Sequence, residues 1–209
     1  MTTEVIAVYG AGGHGKVVAE ILMACGRSLQ GFIDDNPSLR GSSVLGLPVF
    51  SADEWLRFHA HAGVALGVGI NVAREQVAMR VRHSGCTVLT VIHPGAIIAR
   101  SATIGEGAAI MPGAVLNPDC EIGEGAIINS GAIVEHDARI GRYAHMSPNS
   151  AAGGGAQIAA YAHIGMGASV LPSKRVGMNC VIGAGAIVTL DIPDGQLAYG
   201  IPAKVHSKT

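Results

Sequence analysis

From Val91 onward, one large aliphatic residue returns at every sixth position. The frame opens on Val91-Ile92-His93-Pro94-Gly95-Ala96 and runs without insertion to Ala186. Its second position is Ile, Leu, Val or Met in every hexad except at Ala152. Its sixth is Ala, replaced only by Cys120, Ser150, Lys174 and Cys180. A period of six cannot stay on one face of an α-helix, whose turns of 3.6 residues make it drift. The pattern predicts a β-solenoid, with one short strand and one turn per hexad. Aliphatic residues stack inward, and small residues or glycine make the corners. Three hexads close a triangular coil of 18 residues, which sets residues 18 apart about 4.8 Å from each other along the axis.

The first part of the chain has a different pattern. Val5 to Tyr9 is a short β-rich run that ends at glycines. Lys16 to Cys25 carries apolar residues at helical spacing and stops before Gly26. Leu29 to Ile33 reads as a second strand, closed by the turn Asp34-Asp35-Asn36-Pro37. Leu47 to Phe50 reads as a short edge segment, and Ser51-Ala52-Asp53-Glu54 as a helix start. Ala62 to Val68 is another apolar strand, and Val72 to His83 a helix. Strands alternating with helices imply a small parallel sheet. Two domains are expected: an α/β unit over 1–84 and the solenoid with a C-terminal tail over 85–209.

Composition narrows the class. Charged residues are 14% of the 209 and apolar ones 49%, which excludes a disordered chain. No apolar run is long enough to span a membrane, so no membrane insertion is expected. The N-terminal segment is too short and too acidic for a signal peptide. A net charge of −1 gives no footprint for nucleic acid. The four cysteines are scattered without a CxxC pair, which suits reduced cytoplasmic thiols and argues against a metal knuckle.

Candidate chemistry starts at Gly10-Ala11-Gly12-Gly13-His14-Gly15-Lys16, directly after the first strand. Glycines between strand and helix let a backbone approach an anion, and the helix N-terminus adds oriented N–H groups. Gly10, Gly12 and Gly15 match GxGxxG, but an ordinary tight turn would look the same. The segment nearly reads as a Walker A loop, yet Val17 stands where Ser or Thr would hold Mg²⁺. Asp34 lies where a dinucleotide fold places its ribose-binding acid, so an NAD reading stays open. Against it, about 84 residues supply only half of such a fold, and no hydride-transfer constellation follows.

In the solenoid, His136 is fourth in its hexad, Ile133-Val134-Glu135-His136-Asp137-Ala138. Inward stacking belongs to position two, so His136 should point outward near a corner. Histidine suits general-base work near neutral pH. Asp137 is the adjacent acid, with Glu135 competing for the same role. His145 and His163 are one coil apart and should stack. With His136 they raise a zinc triad as an alternative.

The hexad repeat resembles the hexapeptide-repeat acyltransferases, which form left-handed parallel β-helices and usually trimers. The glycine loop, Phe32-Ile33-Asp34-Asp35-Asn36, Val134-Glu135-His136-Asp137 and the tail Tyr199-Gly200-Ile201-Pro202-Ala203-Lys204 narrow this to one branch. That branch holds the acetyltransferases of nucleotide-linked amino sugars and the sialic acid O-acetyltransferases. The resemblance implies a Rossmann-like N-terminal domain followed by a left-handed β-helix, and a homotrimer in the cytoplasm.

It further implies transfer of acetyl from acetyl-CoA to the amino group of a nucleotide-linked 4-amino-4,6-dideoxy sugar, in surface glycan precursor synthesis and without a metal. His136 would be the base and Asp137 its partner, although relatives often carry Glu there. Gly10, Gly12, Gly13, His14, Gly15, Asp34 and Asp35 would hold the sugar nucleotide, with His145 in the cleft. Gly154, Gly165, Met166 and Ala184 would line the coenzyme groove. The rivals are O-acetylation of a sugar or sialic acid, and a non-catalytic scaffold that binds sugar nucleotides.

Overall fold

The computed structural model describes residues 5–206, and the chain divides into two compact units between Pro94 and Gly95. In the first, the order is β1 (Ile6–Tyr9), α1 (Gly13–Ala24), β2 (Gly31–Asp34), β3 (Ser43–Val44) and β4 (Leu47–Ser51). Then come α2 (Ala52–Phe58), β5 (Gly63–Leu66), α3 (Asn71–His83) and β6 (Thr87–Leu89). The sheet runs β3-β4-β2-β1-β5-β6. Every pair is parallel except the β3–β4 hairpin.

The central strands are apolar on both faces because helices cover both. Ala7, Val8, Phe32, Ile33, Val64 and Ala65 are buried, with Val18 and Ala19 of α1 and Ala78 and Val81 of α3.

Three expectations shift here. α1 starts at Gly13, not Lys16, because the Gly-Gly-His-Gly stretch that looks like loop chemistry forms the first helical turn. β4 is not an edge, since the two-residue strand β3 covers it. Thr87–Leu89, beyond the compositional boundary at residue 84, pairs with β5 as the last strand of the first sheet.

The second unit is built from two-residue strands, one per hexad, each paired in parallel with the strand 18 residues on. Val115 faces Ile133, Ile133 faces Ala151, Ala151 faces Ser169, and Ser169 faces Ile187. Three such ladders make a three-sided stack. One contains Ile133–Val134, the next Arg139–Ile140 and the third His145–Met146. Lys204–His206 closes the third ladder as an antiparallel strand on Leu197–Tyr199.

Position two is the core, as the pattern predicts: Ile110, Ile128, Val134, Met146 and Ile164 are fully buried. Position six is also core and not a corner. Ala108, Ala126, Ala144 and Ala162 are fully buried, and Cys120, Ser150 and Cys180 take the same place with the same burial. The side wall there has room only for a small side chain. The corner falls on position five, where every sixth residue from Gly107 to Gly185 has positive φ. Asp119, Asp137, Asn149 and Asn179 occupy that left-handed region, which short polar side chains tolerate best after glycine.

Candidate active site

In the first unit, three glycines cross at the C-terminal ends of β1 and β5. Gly10 has φ +109°, and a Cβ on it would lie 2.7 Å from the Gly67 carbonyl oxygen. A Cβ on Gly15 would overlap the Gly10 carbonyl oxygen, and one on Gly67 would come within 2.8 Å of Gly15 Cα. The backbone itself fills this space, so no side chain fits. Gly12 and Gly13 differ: both are exposed, and a Cβ on either meets nothing within 4 Å. Their bareness leaves the amides of the first turn of α1 uncovered.

Asp34 and Asp35 diverge. The Asp34 carboxylate accepts from Ala11 N–H at 2.8 Å through one oxygen and from Asn36 N–H at 2.9 Å through the other. It thus ties the end of β2 to the glycine loop. Asp35 accepts from Tyr9 Oη–H at 2.9 Å and from Arg80 at 2.6 Å, and Arg80 also pairs with Asp53. Burial first, then the Asp35 hydrogen bond, push the Tyr9 phenol far above its ordinary range, so it stays a donor. His14 lies in the first turn of α1. Burial first, then the Arg74 charge, push its imidazole down to about 4, so it is neutral at physiological pH.

In the second unit, His136 stands at the corner that follows Ile133–Val134. Its side chain is 65% exposed, and its Nδ1 lies 2.8 Å from Asp137 Oδ2. A carboxylate accepting from Nδ1–H leaves Nε2 as the basic nitrogen. The Asp137 hydrogen bond raises the imidazole pKa above its usual value; desolvation opposes it, and the Asp137 and Glu135 charges add to the rise. Glu135 accepts from Asn117 Nδ2 at 3.1 Å and takes no hydrogen bond from the ring. One coil on, Gly154 sits beneath the imidazole. A Cβ there would lie 2.7 Å from Nε2 and 2.8 Å from Cε1.

The strands Ala151–Ala152 and Ser169–Val170 run between two corners. One carries His136 and Gly154. The other carries Met166 and Ala184, both exposed. Gly165, beside Met166, is fixed by packing: a Cβ would lie 2.5 Å from the Ile182 carbonyl oxygen.

His145 and His163 pair across adjacent coils, with ring centroids 4.8 Å apart. His145 Nε2 lies 3.1 Å from Asn129 Nδ2, and His163 Nε2 lies 2.9 Å from Ser147 Oγ. This ladder forms the face opposite the His136 corner. A single copy of the stack therefore does not bring His145 to His136.

Asn129, Gly67, Arg74 and the Tyr9–Arg80 pair join these sites without being expected from the sequence. Asn129 precedes its histidine by sixteen residues, as Ser147 precedes His163. That diagonal is readable once position three is known to neighbour position one of the next coil. Nothing in the local sequence marks the other three. Among the described residues, no cluster of His, Cys, Asp and Glu could hold a metal ion, and no helix is long and apolar enough to cross a membrane.

Residues 5–81 match the family model described as the PglD N-terminal domain, and residues 101–136 the bacterial transferase hexapeptide model of six repeats. GDP-perosamine N-acetyl transferase from Caulobacter crescentus, solved with CoA and GDP-perosamine, superposes with a TM-score of 0.92 at 37% identity. That match covers 98% of this chain and 97% of the other. The acetyltransferase domain of PglB from Neisseria gonorrhoeae FA1090, in complex with acetyl coenzyme A, superposes at 0.91 with 34% identity over 98% and 100%.

UDP-N-acetylbacillosamine N-acetyltransferase from Bacillus subtilis is 38% identical over 109 residues. There the chain spans about half the length of the curated relative, 50%, and the match takes 51% of this chain. The fold class is as expected: an α/β domain followed by a left-handed parallel β-helix of hexapeptide repeats.

Proposed function

The chain belongs to the hexapeptide-repeat N-acetyltransferases of nucleotide-linked amino sugars, and from that premise we propose that it acetylates the amino group of a nucleotide-linked 4-amino-4,6-dideoxy sugar, with acetyl-CoA as donor, in surface glycan precursor synthesis. The observation that carries this reading is the exposed His136–Asp137 pair with Gly154 beneath the ring.

The neutral amine attacks the thioester carbonyl, forming the C–N bond. His136 Nε2 takes the amine proton, and Asp137 steadies the resulting imidazolium. The C–S bond breaks, and the coenzyme thiolate leaves and recovers the proton from His136. No covalent acetyl-enzyme forms. The Gly154 amide, beside the ring, supplies a donor for the carbonyl oxygen as it gains charge. Pantetheine passes along the face between the Gly154 corner and the Gly165, Met166 and Ala184 corner. In the first unit, the amides of Gly12 and Gly13 and the neutral His14 face the phosphates, and Asp34 holds the loop in place. Asp35 stands at the ribose end, its charge shared with Arg80.

His136 and His145 lie on opposite sides of one stack. If both serve one reaction, the site must form between two copies, which supports the reading of a homotrimer. The four free cysteines, three of them buried, fit a reducing compartment. Light scattering after gel filtration should give three times the 21.2 kDa chain mass; a monomeric active enzyme would contradict the trimer.

The activity is tested by thiol release from acetyl-CoA against UDP-, GDP- and dTDP-linked 4-amino-4,6-dideoxyhexoses, with free sialic acid as control. Turnover on an amino sugar nucleotide supports the reading. Turnover on sialic acid alone would replace it with O-acetylation, and coenzyme binding without turnover on any acceptor would remove it.

A second expectation concerns Gly154→Ala. The methyl group must tilt the imidazole away from its present direction. A displacement near 1 Å of a reacting group costs roughly 10²-fold in rate. Steady-state kinetics should show that fall in kcat with an unchanged melting temperature. A kcat within twofold of the wild type would mean the ring does not need its present position.

A further inference from the structure

Arg74 is among the few charged groups inside the molecule, at 1% exposure. It lies in the first turn of α3, and its guanidinium reaches back over the N-terminus of that helix. One nitrogen donates to the carbonyls of Val68 at 3.2 Å and Gly69 at 2.9 Å; the other donates to Asn71 Oδ1 at 3.0 Å. Its backbone N–H donates to the Ile70 carbonyl at 2.8 Å. The Arg74 side chain thus grips Val68, Gly69 and Asn71 after the glycine crossing, and its backbone amide holds Ile70 between them.

That segment faces the glycine loop. Gly67 donates to the Tyr9 carbonyl at 2.7 Å. A Cβ on Gly10 would come within 3.3 Å of the Val68 side chain. The Arg74 charge is also felt at His14, on the other side of the crossing. Arginine suits this task better than lysine, because its planar fork can hold several carbonyls at once. Burying a guanidinium is costly, and a packed apolar residue would stabilise the fold as well. Its position beside the loop gives that cost a use.

We propose that Arg74 is a positioning residue for the sugar nucleotide: it fixes the 68–71 segment against the Gly10–Gly15 loop and places a buried positive charge behind the seat of the diphosphate. The inference rests on the reading of the first unit as the nucleotide-holding part. Arg74 itself touches no substrate. It acts through the loop backbone and through His14.

The test is calorimetric titration of the 209-residue chain with UDP, GDP and dTDP, and separately with acetyl-CoA, for the wild type, Arg74→Lys and Arg74→Met. Arg74→Met should weaken the binding of whichever nucleotide the wild type accepts by at least tenfold. Arg74→Lys should recover part of that loss. The acetyl-CoA Kd should stay within twofold for both, a split that general loosening of the fold would not produce.

If Arg74→Met does not fold, Arg74→Lys decides: weaker nucleotide binding with unchanged acetyl-CoA binding supports the proposal. Unchanged nucleotide binding in the folded variants overturns it, as does an equal loss for both ligands. A wild type that binds none of the three nucleotides overturns the nucleotide reading of the first unit as well, so the two failures are distinguishable.

Discussion

His136→Asn is expected to lower kcat by roughly 10²–10⁴-fold, the range that a well-placed general base contributes. The substitution keeps a polar, hydrogen-bonding side chain but removes the ring nitrogen that accepts a proton. Acetyl-CoA affinity should hardly change, since the coenzyme face is built from other residues. A variant with near-normal kcat would end the assignment of His136 as base.

The same residue sets the acid side of the pH profile. The base works only when deprotonated, and Asp137 raises its pKa above the ordinary histidine value. Activity should therefore fall as the pH drops through that raised value, at a higher pH than for an isolated histidine. Asp137→Asn removes the charge that favours the imidazolium. Its acid limb should move to lower pH, together with a loss of kcat because the ring is held less firmly. An acid limb that stays in place in Asp137→Asn would show that another group titrates there.

The second large effect is expected in the first unit, at Gly15→Ala. The new methyl group would overlap the Gly10 carbonyl oxygen, which is backbone and cannot swing aside. The βα turn must open, at a cost of about 3 kcal/mol, the upper range for overpacking. Thermal unfolding should show a lowered transition, and the KM for the sugar nucleotide should rise at least tenfold in kinetic assays.

Gly13→Ala separates the two readouts. It sits in the first turn of α1 with nothing within 4 Å of its Cβ, so stability should hold or improve by about 0.5 kcal/mol. Its methyl group would stand over the uncovered amides, so the KM for the sugar nucleotide should rise regardless. Unchanged KM in Gly13→Ala would mean that no ligand passes over that turn.

The solenoid was legible because its signal repeats. One aliphatic residue at position two is weak evidence once; in unbroken register from Ile92 to Ile182 it leaves no other fold. The place of position six is not legible in the sequence, because alanine serves equally at a corner and in a narrow core. Burial of Cys120 and Cys180 in the same slot shows which it is. The boundary at residue 84 failed for a related reason. Thr87–Leu89 is as apolar and β-branched as the hexads that follow, and only its pairing with β5 assigns it.

At the site, the outward direction of His136 followed from its place in the hexad, and its bond to Asp137 followed from adjacency. The split between Asp34 and Asp35 did not. Two neighbouring carboxylates look alike in a sequence, yet alternate side chains of a strand end meet different partners, here the loop amides and Arg80. Arg74 and Gly67 were invisible because their partners are backbone groups, which any residue type supplies.

The 18-residue coil restricts how this half of the chain can change length. Adding or removing one whole coil leaves every column standing, with one rung more or fewer. Any other number of residues within the strands would rotate the downstream side chains to a different face and take Gly154 away from the His136 corner. Variation in length here is therefore quantised, as in a screw thread, and smaller insertions must be confined to bulges at the corners that leave the pitch intact.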